Sequence, residues 1–400
     1  MSRWKRQGKL WSKFLANCNF FRVGKNRLVI KFGKAIWFLL AWPFELVGDL
    51  LIWPAKFSRL PGSPRFLIVK VDQLGDVLFS TFLLPLIKKL YPESSIDYLV
   101  NPQSQSVLVN NQLVDNVFSW QDLFLQNIPG RQKLGVWSRI KLAILSWHNN
   151  LASWRLLRQR KYDVVINCRA FWPSSNWLWR LLGRELVAFD FSQASFLANY
   201  QADYDLAAEE WQNYLKLLEP LGVSSIKTTE INPRGLFFNI IPVADLPQNY
   251  WCLSAVSFDA EKTWSQKKWQ EFIAGFLEKT ASSLVLTGLS GQAEWLQKVA
   301  GSFLLTGRVL VFTNLNISQL AGLIKNSQGF IGLESFAAHL AIALERPAFC
   351  LVNSRLFYVP GLSNKKMIDG RSMLPQIKAV RIFDLIKTSP VELLITIFPA

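Results

Sequence analysis

Histidine is almost missing from this 400-residue chain, with His148 and His339 the only two. Little is left for a metal centre built on histidine clusters. Cysteine is scarce as well. Cys18, Cys168, Cys252 and Cys350 stand far apart with no paired spacing, which indicates neither a disulfide framework nor a zinc site. Cys168, Cys252 and Cys350 fall in apolar, strand-like runs, the setting of buried thiols in a reducing compartment. No clean apolar run reaches the length of a bilayer span: Ala35 to Trp53 comes nearest, and Pro43, Glu45 and Asp49 interrupt it. The N-terminal stretch does not read as a cleavable signal, since its charged region is too long and no small-residue cleavage site follows a proper apolar core.

Acidic residues are few at the N-terminus. Residues 1–60 hold 12 Lys/Arg against 2 acids, so they carry +10 of the net +17. The remaining 340 residues carry an ordinary +7. Lys and Arg are interleaved there with Trp, Phe and Leu, which suits a segment lying in the interface of an anionic membrane on its cytoplasmic face. The plainer reading is an added helical layer whose lysines are solvated. A nucleic-acid surface ranks below both, since no recognition motif accompanies the charge.

The chain is organised around Arg65 to Leu90. Phe66-Leu67-Ile68-Val69 reads as a strand buried on both faces. An apolar-periodic helix follows, ending in Lys88-Lys89 as a helix C-terminus should. Between them lies the turn Asp72-Gln73-Leu74-Gly75-Asp76. In a doubly wound α/β domain, ligands bind outside the carboxyl ends of the strands, where this turn would lie. Asp76 stands at that edge, with the alternative role of capping its helix.

Alternation continues. Ile96–Val100 is a second strand, 103–113 a short helix and Val114–Phe118 a third strand. Residues 121–160 are one or two helices, and His148 is a surface residue there. Tyr162–Cys168 is the next strand, and its end brings Asn167 and Arg169 to the same edge as Asp76. Trp172, Trp177 and Trp179 are expected to be mostly core. A helical stretch begins at 199, and a boundary falls near Ile231–Asp245, marked by Pro233, Gly235 and Pro242. The pattern then restarts with strands at Tyr250–Ser254, Leu284–Gly288, Val309–Val311, Gly329–Gly332 and Ala348–Val352, with helices between them. The expected fold is α/β of the GT-B kind: two doubly wound Rossmann-like domains facing across a cleft, preceded by a basic aromatic extension. The expected divisions are 1–64 for the extension, 65–238 for the first domain and 239–400 for the second. A C-terminal helix is expected to pack back on the first domain.

Three stretches together resemble glycosyltransferase family 9, the bacterial heptosyltransferases of lipopolysaccharide cores. They are the turn at Gly75-Asp76, Lys262-Thr263-Trp264 with Trp269, and Gly332-Leu333-Glu334-Ser335-Phe336-Ala337-Ala338-His339-Leu340 continuing to Arg346-Pro347. Each motif is weak alone, but the three in register over residues 65–355 are specific. The resemblance implies inverting, metal-independent transfer of a heptose or similar sugar from a nucleotide-diphosphate sugar, ADP-heptose among the candidates. The acceptor it implies is a lipopolysaccharide core or another lipid-linked saccharide.

It further implies that Asp76 is the base that takes the acceptor hydroxyl proton, with Asp72 the runner-up carboxylate. Gly75, Asp72, Asn167 and Arg169 would serve the acceptor. Lys262, Gly288, Glu334, Ser335, Phe336 and His339 would serve the donor, with cations and amide donors meeting the diphosphate charge. Where the family has Asp-Thr-Gly or Asp-Ser-Gly, this chain reads Glu334-Ser335-Phe336. Where it has His-Pro-Gly, this chain reads Leu253-Ser254-Ala255. Phe336 favours a second reading, a family member without catalysis that binds saccharide or acts as a scaffold at the membrane. Asp76 and Lys262 favour the enzyme.

Overall fold

The four apolar residues Phe66 to Val69 form the middle of β1 (Arg65–Lys70) and are all buried, as a strand covered on both faces requires. The computed structural model describes residues 57–109, 111–121, 136–170, 175–190, 192, 195–205, 210–225, 240–256, 264–333, 335–352, 368–369 and 394–397. Nearly all of the basic N-terminal stretch, the expected boundary at 238/239, the expected C-terminal helix, Lys262 and Glu334 lie outside them.

After β1 come α1 (Leu74–Ser80), α2 (Leu83–Leu90), β2 (Ser95–Val100), β3 (Asn116–Ser119), α3 (Val136–Arg160) and β4 (Tyr162–Asn167). Then follow α4 (Asn176–Trp179), β5 (Gly183–Phe189), β6 (Tyr200–Ala202) and α5 (Glu210–Leu217). The second set is β7 (Tyr250–Ser254), α6 (Gln266–Lys279), β8 (Ser283–Gly288), α7 (Ala293–Ala300), β9 (Val309–Thr313) and α8 (Ile317–Lys325). It closes with β10 (Gly329–Leu333), α9 (Phe336–Ala343), β11 (Ala348–Val352), β12 (Ile368–Asp369) and β13 (Leu394–Ile397).

Two sheets result. The first has the order β3-β2-β1-β4-β5-β6 and the second β12-β13-β11-β10-β7-β8-β9. Every pairing in both is parallel. From its far end the second sheet runs β9-β8-β7-β10-β11, the same winding as β3-β2-β1-β4-β5. Each of these five-strand runs therefore reverses its strand order once, between β1 and β4 and between β7 and β10. Those reversals are where an open parallel sheet leaves a crevice at its carboxyl edge.

Three local expectations are corrected. The single helix after the turn is two. Pro85 has no N–H, and its ring would clash with the Thr81 carbonyl in a continuous helix. That carbonyl accepts from Leu84 N at 3.1 Å instead, and the chain restarts as α2. The short helix at 103–113 is a 3₁₀ turn over Pro102–Val107, started by Asn101 Oδ1 accepting from Gln103 N at 3.3 Å. The helical stretch from 199 opens instead with a strand, Tyr200–Ala202, on the edge of β5.

The core follows the alternation of β1. Phe66 and Ile68 pack with α1, α2 and α5, while Leu67 and Val69 pack with Trp154, Leu157 and Trp179 on the other face. In the second unit Trp269, Phe272 and Phe276 of α6 cover Leu253, Leu284, Leu286 and Ile331. Each such side chain contributes roughly 1.5–3 kcal/mol. One cluster continues from Phe79 and Leu83 on the first sheet's helices into Ala337, Ala338 and Leu340 of α9. The two units are joined at that contact. Among the described residues no helix is long and apolar enough to cross a membrane.

Candidate active site

The loops at the two reversal points carry most of the residues singled out in the sequence. The loop after β1 holds Asp72, Gly75 and Asp76, and the loop after β4 begins at Cys168 and holds Arg169. On the second sheet, the segment after β10 holds Ser335 and leads into α9 with Phe336 and His339. The loop after β7 contains Lys262, outside the described residues.

The two sides meet at Gly75. A Cβ built on Gly75 would lie 2.8 Å from Cδ2 of His339, closer than a real side chain allows. Phe79, one turn on, meets the same imidazole edge-on with ring centroids 4.8 Å apart. Glycine after Leu74 is thus required by the approach of α9 to α1. Asp76, the next residue, lies exposed in the first turn of α1, where the helix dipole favours a negative charge. The carboxylate therefore sits beside the seam between the two units, open to solvent.

Asp72 is in a different situation. Lys70 Nζ lies 3.1 Å from its Oδ2 and an Arg169 guanidinium nitrogen 3.4 Å from its Oδ1. Lys70 also donates to the Cys168 carbonyl at 3.1 Å and stands 5.4 Å from the centre of the Tyr214 ring. Arg169 donates to the Val71 carbonyl at 3.3 Å. Asp72 is thus held between two nearly buried cations and serves to lock the ends of β1 and β4 together. Lys70 was not foreseen as part of the site. Its signal was present, since a lysine closing an apolar run is buried only when paired.

Asn167 is fully buried. It donates to Asn176 Oδ1 at 2.7 Å and accepts from Arg169 N at 3.1 Å, while Asn176 donates to Ser192 Oγ at 2.7 Å. In this geometry Asn167 sets the direction of the Arg169 backbone and presents no polar atom to the cleft.

On the second sheet, Ser335 accepts through its carbonyl from Ala338 N and His339 N at 3.1 and 3.2 Å, starting α9. Its Oγ is buried with no hydrogen-bond partner among the described residues. The Phe336 ring is partly buried against the joining core cluster. Gly288 ends β8, and a Cβ there would lie 2.8 Å from both Gln292 Oε1 and Leu296 Cδ1. Its lack of a side chain lets α7 close on the strand end. Trp264 and Trp269 are buried with centroids 4.9 Å apart, so they act as core. Trp179 is buried, whereas Trp177 is 52 % exposed. Among the described residues no group of three or more His, Cys, Asp or Glu is placed to hold a metal ion.

The arrangement provides an exposed carboxylate, Asp76, at a seam between two parallel sheets, with the first turn of α9 across that seam. The model of glycosyltransferase family 9 (heptosyltransferase) matches residues 150–368. The chain belongs to glycosyltransferase family 9.

As a family 9 member it is a glycosyltransferase. Among curated relatives, lipopolysaccharide heptosyltransferase 3 of Escherichia coli is 22 % identical over 303 residues, 72 % of this chain and 84 % of that protein. Lipopolysaccharide heptosyltransferase 1 of Pseudomonas aeruginosa is 22 % identical over 305 residues, 72 % and 78 % of the two chains. Among solved structures, E. coli heptosyltransferase WaaC with ADP-2-deoxy-2-fluoro heptose matches with a TM-score of 0.64 at 19 % identity, covering 81 % of this chain and 99 % of that one. E. coli ADP-heptose lps heptosyltransferase II matches with a TM-score of 0.55 at 16 % identity, covering 81 % and 97 %. The fold is GT-B, as the family 9 resemblance implied.

Proposed function

We propose that this glycosyltransferase moves a heptose or similar sugar, with inversion and without a metal, from a nucleotide-diphosphate sugar to a lipopolysaccharide-core or other lipid-linked acceptor. ADP-heptose is the proposed donor, in keeping with the ADP-sugar analogue bound by the similar WaaC structure. The observation that carries the reading is the position of Asp76, exposed in the first turn of α1 where Gly75 meets His339 of α9.

In the proposed reaction the Asp76 carboxylate accepts the acceptor hydroxyl proton as that oxygen attacks the anomeric carbon. The bond from that carbon to the diphosphate breaks with inversion, and the nucleoside diphosphate leaves carrying the electron pair. Its charge is met by Lys262, by Ser335 and by the amide groups opening α9. Ser335 supports this role because its hydroxyl is buried without a partner among the described residues. Glu334 and His339 would hold the donor sugar and shape its pocket. Asp72 is the weaker candidate base, since Lys70 and Arg169 already engage both its oxygens. Arg169 is better suited to fixing the acceptor side.

Residues 65–238 form the proposed acceptor domain and 239–400 the proposed donor domain. The basic stretch 1–60 would hold the enzyme against the inner face of an anionic bacterial membrane, where a lipid-linked acceptor resides. The test is release of nucleoside diphosphate by the purified chain across a panel of nucleotide sugars. Release that depends on donor and acceptor, and is lost in Asp76→Ala, supports the reading. Donor binding without turnover by the unmodified chain would overturn it in favour of a binding protein.

A further inference from the structure

Residues 123–162 contain no Asp or Glu but eight Lys/Arg: 131, 133, 139, 141, 155, 158, 160 and 161. Most of this stretch is α3, a helix of 25 residues. Its buried face is Ser146, Asn150, Trp154 and Leu157. The outward face exposes Ile144 (65 %), Leu145 (50 %) and Leu156 (52 %), together with Lys141, Arg155 and Arg158. Beside it, α4 and the turn after it expose Trp177 and Leu181 (59 %). Six large apolar side chains, counting Trp147, thus lie open on one helical layer of the first domain, mixed with bases and no acid.

The layer also has a definite height. Ser146 Oγ donates to the Gln121 carbonyl at 2.7 Å, and Gln121 N donates to Asn150 Oδ1 at 2.7 Å. Gln121 is two residues beyond β3, so residues 146–150 stand level with the carboxyl edge of the sheet. The ten residues from Val136 to Leu145 therefore extend beyond that edge by roughly 15 Å, at the edge where Asp76 lies but on the other face of the sheet.

We propose that the outer face of α3 and α4 is a docking surface for an anionic lipid bilayer, separate from the basic N-terminal stretch. Exposed Trp, Leu and Ile among Lys and Arg is the composition of a helix that lies in the headgroup region. The missing acids make the face complementary to anionic lipid and to little else in a cell membrane. The overhang then brings the carboxyl edge of the first sheet, the edge at which Asp76 lies, close to the bilayer that would hold a lipid-linked saccharide. This last consequence rests on the proposed acceptor class, whereas the lipid contact does not.

The test uses the full chain and vesicles, with no donor or acceptor present, so its outcome is independent of whether transfer occurs. Arg155→Gln/Arg158→Gln removes two charges that are exposed and away from Asp76. At about fivefold per charge near an anionic surface, the pair should weaken sedimentation with phosphatidylglycerol vesicles by roughly 25-fold. A second readout follows this face even where residues 1–60 supply most of the affinity. Exposed Ala152 is replaced by Cys and labelled with an environment-sensitive dye, with the unmodified chain labelled in parallel as background. A blue shift on adding phosphatidylglycerol vesicles, absent with phosphatidylcholine vesicles, is the expected result. No shift with either vesicle would overturn the proposal. A shift that appears on raising protein concentration without lipid would assign the face to a second copy of the chain, and would equally overturn it.

Discussion

Gly75→Ala is a substitution whose sign depends on the contact between α1 and α9. In an exposed helix it would stabilise the protein by about 0.5–1 kcal/mol, because alanine loses less backbone freedom. Here the new methyl would sit 2.8 Å from His339 Cδ2, against an ordinary contact of 3.4 Å or more. The imidazole cannot simply retreat, since Phe79 abuts it with centroids 4.8 Å apart. Overpacking of this kind costs about 1–3 kcal/mol, so with the alanine gain set against it the net change should be a loss of about 1 kcal/mol. In a thermal melt that is a fall of roughly 2–4 °C for a domain of this size. The same clash pushes α9 away from α1, so the rate of transfer should fall with stability. The decisive assay adds His339→Ala to Gly75→Ala. Removing the ring makes room for the methyl, so the pair should be non-additive, with alanine at 75 less harmful in the His339→Ala background. A Gly75→Ala protein that melts higher and transfers sugar normally would refute the proposed contact.

Asp72→Asn leaves Lys70 and Arg169, both at least 86 % buried at the side chain, without the carboxylate they share. A loss of about 3 kcal/mol is expected in urea unfolding, the lower end for a broken buried pair; an unchanged midpoint would remove Asp72 from its locking role. Burial pushes the Cys252 thiol and the Tyr98 hydroxyl well above their ordinary values. The stability they confer is fully present below the ordinary thiol value of about 8.5, and is lost as pH climbs toward the raised folded values. Denaturation midpoints should therefore be flat from pH 7 to 8 and fall steadily above about 9, and a midpoint that rises there would contradict the burial.

Periodicity in the sequence was sufficient for the strands that are apolar and bounded by turns, such as Phe66–Val69 and Gly329–Gly332. It failed where the signal was short or crowded. β5 begins with Gly183-Arg184-Glu185 behind a tryptophan-rich stretch, and β6 has three residues. Both take their strand form from pairing across the sheet, which no local pattern records. Pro85 is the local cause of the break between α1 and α2, and a reading from apolar period and terminal lysines alone passes over it. For the site, the sequence placed Asp76, Asn167, Arg169 and Ser335 at or just after strand ends, and His339 in the helix that follows the strand at Gly329–Gly332. The contact of Gly75 with His339, the paired burial of Lys70 and the full burial of Asn167 depend on residues far apart in the chain. Gly75 announced that something approached it, and only the fold shows that the neighbour is an imidazole.

The central claim is that Asp76 takes the acceptor proton at the seam between the two sheets. It is tested most directly by the rate of ADP release from ADP-heptose at saturating donor and lipid-linked acceptor, measured for the unmodified chain and for Asp76→Asn. Loss of a general base should slow release by roughly 10²–10⁴-fold, with ADP binding unchanged because the substitution lies off the proposed donor domain. Release within a few-fold of the unmodified rate would contradict the account and return the base to another group.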